Sequence, residues 1–203
     1  MKLEKIQHRL FWEWFTSVAG ALERNPEDQV LVKQIGDRVM QLHPNLSWEI
    51  GPGRAKPWQF VVSPSLDRSL RPIAREIVSD APELPNWEFF PARQRKDWNF
   101  RLTFEGSKGK KVSIDASNWT FVLLEYPSRE HEILLTGSNI KKLNADDRWY
   151  AAALTLESLL GEGPLLDYVD SFDLSEALDP RFQGKERPIT ELRTAVMGRR
   201  PAS

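Results

Sequence analysis

Apolar residues recur at four-residue steps through Ile6, Leu10, Trp14, Val18 and Leu22, and Phe11 and Phe15 widen the stripe. That spacing predicts an amphipathic helix over residues 3–23 that packs against something large. Asn25-Pro26-Glu27-Asp28 then reads as a helix start: a capping Asn, a Pro at the first helical position and acids in the first turn. Leu31, Ile35, Val39 and Leu42 carry the second helix to about His43, where Pro44 stops it. Two helices joined by so short a link predict an antiparallel hairpin.

From Leu46 the period changes. Leu46–Ile50 and Trp58–Val62 read as strands joined by a Gly- and Pro-rich loop. A helix with Pro72 in its first turn follows, turning Ile73, Ile77 and Val78 inward. The stretch 82–104 holds two strand-like runs, Trp87–Phe90 and Trp98–Phe104. In the second, Trp98, Phe100, Leu102 and Phe104 alternate with polar residues, the mark of a strand with one buried face. Gly106 to Gly109 predicts a hairpin turn into Val112, Ile114 and Ala116. Trp119–Tyr126 is apolar on both faces, as a central strand would be, and Pro127-Ser128-Arg129 turns into His131–Thr136. Asn144 caps a long helix that ends at Gly161, with Trp149, Ala152, Ala153, Leu156, Leu159 and Leu160 as its buried face. Leu166, Tyr168 and Phe172 mark a last strand. Beyond Asp179 the periodicity fades, which predicts a single domain over 1–178 and a partly disordered tail over 179–203, with a short helix within 188–197. The expected fold class is α+β: an N-terminal helical hairpin, then a mixed, mainly antiparallel sheet with two further helices.

Composition narrows the function classes. The chain has 203 residues, 40% hydrophobic and 28% charged, enough to bury a core without staples. A net charge of −1 argues against a nucleic-acid or membrane field. Zero cysteines exclude disulfides, thiolate metal sites and thiol catalysis. Lys2, Lys5 and Arg9 before an apolar run imitate an export signal, but Glu4 and Glu13 break the pattern. No run reaches the roughly 20 apolar residues of a membrane span, so a cytoplasmic protein is expected.

Known chemical motifs are missing: there is no phosphate loop, dinucleotide fingerprint, zinc-protease helix or serine elbow. Three scattered histidines, His8, His43 and His131, with no cysteine, argue against a dedicated metal site, and no cofactor is expected. Four clusters remain. Arg93, Arg95 and Lys96, with Arg101 on the next strand, could clamp a planar anion or form a solvated loop. Seven acids between Trp149 and Pro180, without a Lys or Arg among them, include Asp167 and Asp173 on one expected strand face and Asp170 opposite. That acidic edge could meet a basic partner or prevent sheet edges from pairing. The tail is basic (Arg181, Lys185, Arg187, Arg193, Arg199, Arg200). His131, between Glu130 and Glu132 and with Asp115 expected near it, is the alternative catalytic base or an idle strand-end histidine. A recurring Trp-x-apolar pattern at Trp48, Trp58, Trp87, Trp98 and Trp119 reads as core, or as an aromatic platform if the rings are uncovered.

Several blocks resemble a loosely defined group of small uncharacterised bacterial cytosolic proteins. They are Phe11-Trp12-Glu13-Trp14-Phe15, His43-Pro44 to Trp48-Glu49-Ile50, Phe60-Val61-Val62-Ser63, the run from Ala81 through Trp87 to Arg93, and Leu159-Leu160-Gly161-Glu162. The resemblance implies a bacterial cytoplasmic α+β domain and no catalytic residue; some members resemble immunity-type or accessory proteins in organisation. The expectation is therefore a non-catalytic binding or inhibitory protein acting on a protein partner. The alternative is a small hydrolase or ligand-binding domain for an anionic small molecule, with Arg93, Arg95 and Arg101 as clamp and His131 as base. Single-strand nucleic-acid binding through exposed Trp and Arg is the weakest reading.

Overall fold

The computed structural model describes residues 2–128 and 130–198; the expected roles of Arg129, Arg199 and Arg200 lie outside them. The chain is α+β and divides into two units, residues 1–93 and 94–203.

The first unit begins with the hairpin of α1 (Lys2–Arg24) and α2 (Gln29–Leu42). Asp28, not Asn25, caps α2, its carboxylate accepting from the Val30 and Leu31 N–H groups. On α1 the buried face is Phe11, Trp12, Phe15, Ala19 and Leu22, while Ile6 and Leu10 of the predicted stripe stay exposed. Aromatic side chains bury the larger area, so they decide which face of the helix turns inward. That face covers a three-stranded sheet of order β1-β2-β3, made of β1 (Ser47–Pro52), β2 (Trp58–Ser63) and β3 (Trp87–Phe90). β1 and β2 are antiparallel; β2 and β3 are parallel, joined across α3 (Arg71–Ser79). Phe15 packs its ring 4.9 Å from Phe60 and 5.1 Å from Trp87. The Trp12 indole donates to the Ile77 carbonyl at 2.8 Å and His8 meets Asp80 at 2.9 Å, whereas Gln59 Oε1 on β2 is buried with no hydrogen-bond partner among the described residues. The Trp-rich strand starts are thus mostly covered: Trp87 and Trp119 are fully buried, and Trp48 stacks on Phe60.

The second unit holds two sheets. β4 (Arg101–Glu105) and β5 (Lys111–Asp115) form a hairpin. The run expected from Trp98 starts only at Arg101, because Phe100 has a positive φ of 61° that interrupts extended backbone. A four-stranded sheet has the order β8-β7-β6-β9. Its strands are β6 (Thr120–Glu125), β7 (His131–Thr136), β8 (Ser171–Ser175) and β9 (Arg187–Pro188). β7 and β8 are parallel, joined by α4 (Ala145–Leu160) and α5 (Glu162–Tyr168). The βαβ pieces near both chain ends make the sheets mixed, and the remaining pairs are antiparallel. Residues 166–168, expected in a strand, are helical: Gly161, at φ 87°, ends α4, and the chain coils again with Leu165, Leu166 and Val169 turned inward. The segment expected as a tail continues through β9 to α6 (Leu192–Met197), with Ile189, Leu192 and Val196 buried.

Candidate functional site at the start of helix α4

The first turn of α4 is fixed from both sides. Asn144 caps it, accepting from the Asp147 N–H at 2.9 Å, and the Asn144 amide donates to the Asp147 carboxylate and to Ser107 Oγ. Asp147, 8% exposed, accepts the Ser107 N–H at 2.7 Å, so the β4–β5 turn is tied to the helix N-terminus. A carboxylate there also meets the positive end of the helix dipole. Gly106 makes the close approach possible: a Cβ would lie 2.9 Å from Val112 and 3.0 Å from the Asp147 carboxylate.

On this rigid turn sit two exposed rings. Trp149 is 53% exposed and stacks one face on Phe172 of β8, with ring centroids 5.7 Å apart. Tyr150, 43% exposed, meets Phe104 edge-on at 5.1 Å. Trp149 stands as a ridge between two open clefts. One, about 350 Å³, is lined by Glu105, Gly106, Ser107, Asp146, Asp147 and Tyr150. The other, about 380 Å³, runs beside β8 and is lined by Leu143, Ala145, Arg148, Ala152 and residues 172–175. Arg148 is committed, donating to the Leu143 carbonyl and to Glu176 at 2.9 Å. Asp146 is exposed beside the first cleft, and Asp173 is exposed on β8, where strand alternation turns it to the face opposite Phe172 and Leu174. Aromatic faces beside carboxylates are suited to holding cationic and apolar groups. Among the described residues no three His, Asp or Glu side chains are grouped to hold a metal ion.

The residues singled out from sequence lie in several places. Arg93, in the first unit, donates to Ser47 Oγ at 2.8 Å and lies 3.8 Å from Glu49. In the second unit Arg95 reaches Asp97 at 3.3 Å, the Lys96 N–H donates to the Ser158 carbonyl, and Arg101 lies 3.5 Å from Asp115. Of the three acids, Asp167 is on α5, Asp170 is in the connection, where it accepts the His131 N–H at 2.8 Å, and Asp173 is on β8. His131 starts β7 and is 8% exposed, and among the described residues its Nδ1 has no hydrogen-bond partner. Asp115 belongs to β5, whose neighbour is β4; the strand beside His131 is β6, with Glu125 opposite. Sequence reasoning assigned Trp149 to the buried face of α4, whose stripe it shares. It lies in the early turns, over an edge strand, where its ring rests on Phe172.

Compared with known proteins, the chain matches no family model, no curated protein and no solved structure.

Proposed function

We propose that this is a non-catalytic binding or inhibitory protein, of an immunity-like or accessory kind in a bacterial cytoplasm, and that it docks a protein partner on the Trp149 ridge. The observation that carries this reading is the large exposed indole held on a pinned helix turn between two clefts. Tryptophan and tyrosine are the residues most enriched among those that dominate binding energy, and a rigid seat lowers the entropy lost on docking. The exposed carboxylates of Asp146, beside the ridge, and of Asp173, on the outer face of β8, favour a basic partner surface. No step of this reading involves bond breaking.

The test compares the tagged full chain with its Trp149→Ala variant as baits in lysate of the source cells, read by mass spectrometry and native mass. A stoichiometric protein held by the wild type and lost from the variant supports the reading. A partner retained equally by both removes the ridge from the interface.

A further inference from the structure

The cleft on the far side of Trp149 runs along the outer edge of β8, and among the described residues β8 has a strand neighbour on one side only. The Ser175 carbonyl accepts the Gly137 N–H on the β7 side. Strand alternation then directs the backbone groups of Ser171, Asp173 and Ser175 toward β7 and those of Phe172 and Leu174 toward the open edge. Side chains alternate as well. Phe172 and Leu174 share the face covered by α4, where Leu143, Ala145, Trp149 and Ala152 wall the cleft; Asp173 points to the other face and is exposed.

We propose that β8 accepts an extended segment of the partner as an additional strand, a segment in which apolar residues alternate with Lys or Arg. This rests on the docking role given to Trp149 and names what docks there. Main-chain bonds to Phe172 and Leu174 supply the pairing, apolar side chains enter the cleft beneath Trp149, and the basic ones face Asp173. The same charge argues against a second copy of this chain. An antiparallel β8–β8 pair centred on Asp173 would set two carboxylates opposite one another, which is unfavourable, whereas a basic strand is welcomed.

The experiment uses the full chain, ¹⁵N-labelled, with a capped heptapeptide alternating lysine and valine. Addition should shift the resonances of β8 and of the Trp149 indole, and slow amide exchange at Phe172 and Leu174 by about tenfold or more, as expected for newly bonded edge amides. Asp173→Lys, on the exposed face and away from the core, should weaken the peptide about tenfold or more, since it replaces attraction by repulsion. An N-methylated version of the peptide, unable to donate from its backbone, should not bind. No shift at β8 at millimolar peptide overturns the proposal. So does unchanged exchange at Phe172 and Leu174, or equal binding of the N-methylated peptide. These failures are distinguishable from failure of the docking role itself: a partner lost on Trp149→Ala while edge exchange stays unchanged leaves the ridge as an interface and removes strand addition alone.

Discussion

Trp149 keeps about half of its surface in water, 53%, although one face is already stacked on Phe172. Truncating such a side chain costs the fold little and a docked complex a great deal. Trp149→Ala should lower unfolding stability by no more than about 1 kcal/mol, as for a partly exposed site. It should weaken a bound partner by about 2 kcal/mol or more, the range of a central aromatic anchor. Denaturant unfolding and titration calorimetry on the same variant separate the two. Three surface aspartates carry a second residue-scale consequence. Hydrogen bonds from Ser69 hold Asp67 below the ordinary carboxylate range, those from Ser117 do the same for Asp115, and those from Arg181 for Asp179. Because each folded value is depressed, the unfolded chain takes up protons first as pH falls. The stabilisation is therefore present above the ordinary aspartate value of about 3.9 and lost as pH drops through the lower folded values. Carbon-detected NMR titration should find these three carboxyls titrating below the ordinary aspartate value; ordinary midpoints would contradict the assigned bonds.

At the scale of elements, the hydrophobic period made both hairpin helices, β1 to β3, β5 to β7 and α4 legible, since each buries a face of one chemical kind. What escaped were places where one backbone angle outweighs the pattern. Phe100 satisfies the alternation yet turns to positive φ, so β4 begins late. Gly161 was legible as an end to α4 but not as the joint of a second helix, and so Asp167 and Asp173 were expected on one strand when only Asp173 is on β8. The exposure of Trp149 was also hidden: its spacing matches the buried stripe, and only strand order reveals that the sheet stops beneath it. Gly161 adopts φ 87° and ψ 151°, a region essentially reserved for glycine. Gly161→Ala should therefore cost about 1–3 kcal/mol, the usual strain of such a position, while leaving the Trp149 turn intact at the other end of α4. Urea unfolding that shows no loss would contradict this account of how α4 hands over to α5.

At the scale of the whole molecule, the first unit has a self-contained core of aromatic and aliphatic residues from Phe11 to Trp87 under the helical hairpin. Residues 1–93 expressed alone should give helical circular dichroism and a cooperative thermal transition; a broad, non-cooperative melt would show that this core does not suffice. The chain spends its chemistry unevenly. Arg93 is bonded to Ser47 and Arg101 lies beside Asp115, whereas the face around Trp149 presents rings and carboxylates to solvent. That contrast is why a docking role is preferred to an anion-handling one. The most direct measurement is the affinity of the full chain and of Trp149→Ala for the protein recovered with it, determined by calorimetry in the same buffer. A loss of about thirtyfold or more, matching the 2 kcal/mol or so expected of a central anchor, with unchanged circular dichroism, is the predicted result. Equal affinity of the two would place the interface elsewhere and contradict the account.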